Sequence, residues 1–110
     1  MMKAKYWQRG ETIDYKNGGA TTFTAGSIVS LTTRVGIAGM DIAAGATGTL
    51  HMVGVFELEK DSAAIALGAA VYYDASEDCF TATATDNIPA GYAVAAALAG
   101  DTVCLVKLLG

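Results

Sequence analysis

The sequence is poor in the residues that most often carry chemistry. Its 110 residues include one histidine, one proline, one tryptophan and two cysteines. Catalysis near neutral pH usually needs a histidine beside a nucleophile, and tetrahedral metal sites need several histidine or cysteine ligands. No GxSxG, GxGxxG or GK[ST] motif compensates for this shortage. We therefore expect no enzyme, no cofactor and no metal centre.

Long apolar runs are also missing. No run approaches the roughly 20 residues of a membrane-spanning helix, and the opening segment MMKAKYWQRG lacks the apolar stretch of a signal peptide. Cys79 and Cys104 lie in apolar runs without CxxC spacing, so we expect buried, reduced thiols. These features predict a soluble protein that is made in a reducing compartment, is not exported by a leader and does not bind a membrane.

Small residues and short β-type runs dominate what is present. Ala, Gly and Thr account for 46 residues. Runs rich in β-branched or apolar residues recur about every 8 to 12 residues between glycine, asparagine or aspartate breaks, a spacing typical of barrels and sandwiches. We predict an all-β fold, a small Gly/Ala-rich β-barrel or sandwich formed by residues 10–110, with an N-terminal arm at residues 1–9. At most one short helical turn is expected, near residues 62–67, with Asp61 or Ser62 as its cap.

The clearest alternation runs from Thr47 to Lys60, and it predicts one long strand because a two-residue period separates the side chains onto two faces. One face would carry Leu50, Met52, Gly54, Phe56 and Leu58. The other would carry His51, Val53, Val55, Glu57 and Glu59.

Shorter strands are predicted on both sides of this segment. Ile13 marks the first, the turn at residues 16–19 ends it, and residues 21–24 are expected to return along it. The remaining predicted strands are 27–33, 34–38, 69–73, 79–85, 92–98 and 102–109, with 88–91 as a break. A glycine is followed three residues later by a valine at Gly26–Val29, Gly68–Val71 and Gly91–Val94, an irregular repeat in which we expect the valine to point inward.

The few candidate chemical groups are better explained by structural roles. His51 has no second histidine nearby in the sequence, so we expect it on a packed face or a subunit contact. Glu57 and Glu59 are expected to be solvated at a strand end. The acidic segment at 74–78, DASED, lacks calcium-loop spacing and is expected to form a polar hairpin turn. In the strand before this turn, Tyr72 and Tyr73 are expected to point to opposite faces.

Charge is distributed unevenly along the chain. Residues 1–16 carry a net charge of +2, whereas residues 17–110 carry −6. An acidic body should repel nucleic acid, so no nucleic-acid partner is expected. The basic, aromatic arm could instead grip an acidic protein surface, and its candidate contact residues are Lys3, Lys5, Tyr6, Trp7 and Arg9.

The order of the segments resembles a known family. The matching segments are QRGETIDY, AAGATGTLHMVGVFELEK, ALGAAVYYDAS, TATAT and IPAGYAVAAALAGDTVCLVKLLG, which together extend over most of the chain. They resemble the small β-rich capsid decoration, or cement, proteins of tailed bacteriophages and prophages. The arm from Met1 to Trp7 is slightly longer and more basic than this family leads us to expect.

This resemblance implies a structural virion protein. Such a protein would bind the outer surface of the icosahedral head, as a homotrimer at local threefold positions, and brace neighbouring subunits of the major capsid protein. It would be made in the cytoplasm of the host bacterium, and it would have no catalytic residues. Two alternatives are a neck or tail component and a small-ligand-binding β-barrel, the latter requiring a pocket lined by aromatic residues.

Overall fold

Two antiparallel sheets make up the computed structural model, which describes residues 2–110. Their strand orders are β1-β4-β3-β2 and β5-β9-β8-β6-β7. Neither sheet closes on itself, and no helix occurs within the described range, so the predicted all-β fold is confirmed in an open, two-sheet form. The strands are β1 Thr12–Lys16, β2 Ile28–Ser30, β3 Val35–Ala38, β4 Thr47–His51, β5 Val53–Glu59, β6 Ala70–Asp74, β7 Cys79–Thr81, β8 Ile88–Ala93 and β9 Val103–Leu109.

The predicted long strand is in fact two strands, β4 and β5, which belong to different sheets. The change of sheet occurs at Met52, whose backbone N–H donates to the carbonyl oxygen of Glu11 at 2.8 Å. Two residues later Gly54 has a φ of +135°, a conformation that side chains disfavour and that permits a bend. The predicted alternation survives this change, because Leu50 and Leu58 are buried whereas the residues between them on the opposite side are mostly exposed.

Most of the shorter strands form near their predicted positions, but the expected return along β1 is wrong. Residues 21–24 do not pair with β1, whose neighbour is β4. Phe23 instead forms an isolated antiparallel bridge with Ile42. The cause is Asn17, a predicted turn residue that is fully buried and whose side-chain Nδ2 donates to the carbonyl oxygens of Thr21 and Ile42.

Three local predictions in the second half also differ from the structure. The helical turn near residues 62–67 does not form, because Ile65 pairs with Ala97 in a β-bridge. Residues 88–91, expected to be a break, begin β8, and the predicted strand at 92–98 is wrong beyond Ala93, where β8 ends. Pro89 is accommodated there beside a register irregularity between β6 and β8, which is where a proline can enter a strand without disrupting regular pairing.

The sheets divide the apolar residues between two cores. One face of the first sheet packs beneath its own loops and includes Val29 and Leu50. Its other face contributes Val35 and Ile37 to a larger core built on the second sheet. The first sheet is therefore covered on both faces around β3, all four residues of which are buried.

The two sheets repeat one architecture. Strands β1, β2, β3 and β4 define a first repeat, and β5, β6, β8 and β9 occupy the same order in a second, to which β7 is added at the edge. Equivalent turns carry equivalent hydrogen bonds: the N–H of Gly26 donates to Ala38 O, and that of Gly68 to Ala93 O. Each repeat also contains one bridge between its turn segments, Phe23 with Ile42 and Ile65 with Ala97.

This repeat explains two of the three glycine–valine pairs seen in the sequence. Gly26 and Gly68 are equivalent turn residues with φ of +88° and +82°, and the valine three residues after each is buried. Gly91 differs, because it lies within β8 opposite Leu108 rather than in a turn.

A buried polar side chain follows the first strand of each repeat. Asn17 follows β1 and Lys60 follows β5, and both bind backbone carbonyls of the loops that cover the core. The Lys60 ammonium donates to the carbonyl oxygens of Asp61, Leu98 and Asp101 at 2.9, 3.0 and 3.1 Å. Lys60, expected beside a solvated strand end, is only 8% exposed, since its hydrogen bonds replace water.

Candidate interaction surfaces

The N-terminal arm extends away from the sheets. Residues 2–10 form no regular secondary structure, and the five predicted contact residues are all exposed, with Trp7 at 83%. Gln8 makes one long hydrogen bond, 3.5 Å from its Nε2 to the carbonyl oxygen of Thr12 at the start of β1. Met1, the first residue of the predicted arm, lies outside the described residues. The contact of this arm with another protein remains a prediction.

A second exposed surface lies on the outward side of β5 and β9. It carries five apolar residues that are each more than a third exposed: Val53, Val55, Val103, Leu105 and Leu109. In an antiparallel sheet with one face on the core, the other face is ordinarily polar. The alternation predicts Val53 and Val55 beside His51, on a face that is either packed or a subunit contact. The structure leaves both valines uncovered.

His51 is half-buried between the two sheets. Its ring contacts Phe56, with centroids 5.9 Å apart, although the alternation had placed these two side chains on opposite faces. The change of sheet at Met52 accounts for this contact, because β4 and β5 belong to different sheets and one continuous strand no longer fixes their faces relative to each other. Gly39 leaves the space that the ring occupies, because a Cβ there would lie 2.9 Å from His51 Nε2. The position is that of a packing residue.

Carboxylates line one cleft, which has a volume of about 490 Å³. Glu57, Glu59 and Asp78 face it beside Phe23 and Phe80. Glu57 and Glu59 are exposed, as expected for a solvated strand end. No group of three His, Cys, Asp or Glu residues within 2–110 is placed to hold a metal ion. Only two of the nine lining residues are aromatic, unlike the aromatic pocket that a small-ligand-binding barrel requires.

The acidic segment at residues 74–78 forms the predicted polar turn, between β6 and β7. Asp74 Oδ1 accepts hydrogen bonds from the backbone N–H and the hydroxyl of Ser76, and the hydroxyl bond lowers the pKa of Asp74. Tyr73 donates its hydroxyl to Asp78 at 2.5 Å. Burial, and then this bond, raise the pKa of Tyr73 to about 12. Tyr72 and Tyr73 point to opposite faces as predicted, and only Tyr73 is buried.

Both cysteines are free thiols. Cys104 is buried as expected, whereas Cys79 is half-buried at the start of β7. Burial is the main cause that raises the pKa of each thiol, so both favour the protonated, unreactive form.

No helix within residues 2–110 has the length and apolar character needed to cross a membrane.

Comparison with known proteins identifies one family. A family model described as phage cement protein matches residues 7–108. No curated protein and no solved structure matches this chain. The matched range contains all nine strands apart from the last residue of β9, and it also contains Trp7 and Arg9 of the arm.

Proposed function

This chain belongs to the phage cement protein family, and from that premise we propose that it binds the outer surface of a phage head and stabilises the capsid lattice. The family is structural rather than enzymatic, and its role is associated with the phage capsid. The proposed partner is the major capsid protein. The observation that carries this proposal is the family match over residues 7–108.

The arm supplies the first proposed contact with the shell. Residues 2–9 have exposed side chains and no strand partner, so their backbone N–H and C=O groups are free to add to the edge of a sheet in another protein. Main-chain pairing of this kind gives affinity, and flanking side chains give specificity. Lys3, Lys5 and Arg9 would face acidic groups of the capsid protein, while Tyr6 and Trp7 would bury apolar surface.

Self-association is the second proposed element. A homotrimer at local threefold positions would present three arms to neighbouring capsid subunits at once. Linked weak contacts then act as intramolecular ones, so their combined affinity exceeds that of one arm. The two modest cores, made largely of small and medium-sized side chains, are also consistent with a protein that gains stability from its neighbours.

The proposed location is the outer capsid surface of the virion, after synthesis in the cytoplasm of the host bacterium. Residues 17–110 carry a net charge of −6. An outward position suits this charge, because the packaged DNA lies on the other side of the shell and is itself negatively charged.

Co-sedimentation tests the proposal. Purified protein is mixed with expanded phage heads that lack decoration, and bound protein is quantified in the pelleted heads against unexpanded heads as control. Saturable binding to the expanded heads is expected, at a copy number that scales with the capsid lattice. Failure to pellet with the heads would contradict the proposal, and binding of only a few copies at one vertex would indicate a neck component instead.

A further inference from the structure

The outer β5–β9 face consists of the outward residues of two neighbouring strands: Val53, Val55, Glu57, Glu59, Val103, Leu105, Lys107 and Leu109. We propose that copies of this chain associate with one another through this face. The inference specifies the surface behind the self-association named above, and it rests on that part of the proposed function.

The apolar residues of this face form one continuous patch. The register places Val53 opposite Leu109 and Val55 opposite Lys107, with Leu105 diagonal to Val55. Side chains directly opposite one another in an antiparallel pair have Cβ atoms about 4.5–5.5 Å apart, and diagonal neighbours are about 7–8 Å apart, so these residues are neighbours on one surface. Val55 is 55% exposed and Leu105 is 41% exposed. A contiguous exposed apolar patch of this kind commonly marks a contact with another protein.

The internal repeat shows that the fold itself does not require these apolar residues. Asn17 and Lys60 occupy equivalent positions, and counting back five residues makes Thr12 the equivalent of Val55. The strand register agrees with this equivalence. Thr12 pairs with His51 in the first sheet, Val55 pairs with Lys107 in the second, and His51 and Lys107 hold the same place in β4 and β9.

The same comparison extends to the neighbouring strand. Ala38 pairs with Leu50 in the first sheet as Ala93 pairs with Val106 in the second. Stepping along β4 and β9 from these pairs gives two further equivalences, Thr49 with Leu105 and Thr47 with Val103. Three threonines of the first sheet are thus replaced by larger apolar residues in the second, so the second sheet acquires an apolar surface that its architecture does not need.

The same side of the first sheet is covered at β3, whereas the residues on that side of β1 and β4 are exposed or half-buried. In the first repeat the outward residues Val35 and Ile37 of β3 pack into the core of the second repeat. No third repeat covers the outward face of the second one within residues 2–110. Packing of one sheet against the other is therefore a contact that this fold already makes once within each molecule, and a sheet of an identical chain is the occupant that we propose for the uncovered side of the second sheet.

The charges on this face favour a second copy of the chain over a partner whose surface is uniformly acidic or uniformly basic. Lys107 lies on one half of the face, and Glu57 and Glu59 lie on the other half. The basic half of one copy can therefore meet the acidic half of the next, and such a head-to-tail contact forms a closed ring when its rotation closes and an open filament when it does not. A uniformly charged partner would oppose one of the two halves.

The test replaces the apolar residues with those that the first sheet carries. In the full-length chain, Val55→Thr, Val103→Thr and Leu105→Thr are combined, and mass is measured by sedimentation velocity over a range of concentrations. The wild type should sediment as an oligomer of the 11.2 kDa chain, and the triple variant as a monomer. We expect the dissociation constant to rise at least about 100-fold, since central apolar side chains dominate such contacts. Far-UV circular dichroism should remain unchanged.

Matched controls separate this face from general surface hydrophobicity. Leu67→Thr and Leu98→Thr remove leucines that are 67% and 71% exposed in turns, and they should leave the mass unchanged. Lys107→Glu should weaken association, and adding Glu57→Lys should restore it.

The inference is overturned if the wild type stays monomeric at every concentration, or if the triple variant keeps the wild-type mass. A monomeric wild type whose triple variant no longer binds heads would assign the face to the capsid protein, which also overturns it. Failure of the proposed function is a separate result, because a wild-type oligomer that does not pellet with heads would contradict head binding and leave the mass comparison intact.

Discussion

The buried ammonium of Lys60 makes a sharp prediction about stability. Its Nζ donates three hydrogen bonds to backbone carbonyls, and these bonds fix the loop that covers the second core. Lys60→Met keeps a long apolar side chain but removes every donor. The free energy of unfolding should therefore fall by the contribution of those hydrogen bonds that water cannot replace in the variant.

The magnitude follows from the exposure of the three acceptors. Leu98 and Asp101 belong to an exposed turn, so water can rebind their carbonyl oxygens, whereas the half-buried carbonyl of Asp61 is less accessible. One unsatisfied buried acceptor costs about 1–3 kcal/mol, and part of the charged bonding to the other two is also lost. Relief of the ammonium's desolvation offsets some of this cost. We expect a net loss of about 2 kcal/mol, a large fraction of the roughly 5–15 kcal/mol typical of a domain.

Urea unfolding, followed by circular dichroism, measures this loss. With an m value of about 1–3 kcal/mol per molar, the midpoint should fall by roughly 1 M while m stays constant. Lys16→Met, which alters an exposed lysine of β1, should stay within about 0.5 kcal/mol of wild type. If Lys60→Met matched that control, the ammonium would contribute nothing net and the reasoning would be refuted.

Three further predictions test other parts of the structure. Gly91→Ala places a Cβ 1.8 Å from a carbonyl oxygen of β9 and should destabilise the fold by at least about 2 kcal/mol. Gly100→Ala, whose new Cβ would have no atom within 4 Å, should have little effect. Equal urea midpoints for these two variants would exclude the close contact at Gly91. The folded state raises the pKa of Tyr73 from 10.0 to about 12, so the stability it contributes is present below pH 10 and is lost as pH rises towards 12. Across that interval Tyr73→Phe should lose less stability than wild type, and Tyr72→Phe should lose as much; parallel curves for all three proteins would contradict this assignment. Deleting residues 1–7 should leave the urea midpoint unchanged and weaken co-sedimentation with heads, so undiminished binding would remove the arm from the proposed contact.

Alternation predicted the faces correctly within β4 and within β5, because a two-residue period is a local property, but not between them, as the contact of His51 with Phe56 shows. It could not show that the chain changes sheets at Met52, since the hydrogen bond there reaches Glu11, far away in the sequence. The expected turn helix near Ile65 failed for a similar reason: alanine-rich sequence favours a helix locally, but pairing with Ala97 outweighs that preference.

The repeat and the outer β5–β9 face were harder to predict. Many equivalent positions of the two repeats share hydrogen bonds rather than side-chain identity, as Asn17 and Lys60 show. The glycine–valine spacing was therefore the trace of the repeat seen in the sequence, and one of its three pairs, Gly91–Val94, does not belong to the repeat. Val53 and Val55 were assigned to the correct side of their strand. Whether another layer covers that side depends on how the two sheets pack, which periodicity does not determine.

Cryo-electron microscopy of expanded heads incubated with this protein tests head binding most directly. We expect density for the two-sheet fold at positions repeated over the whole outer surface of the shell. Bare capsid surfaces at saturating protein, or density confined to a single vertex, would contradict it.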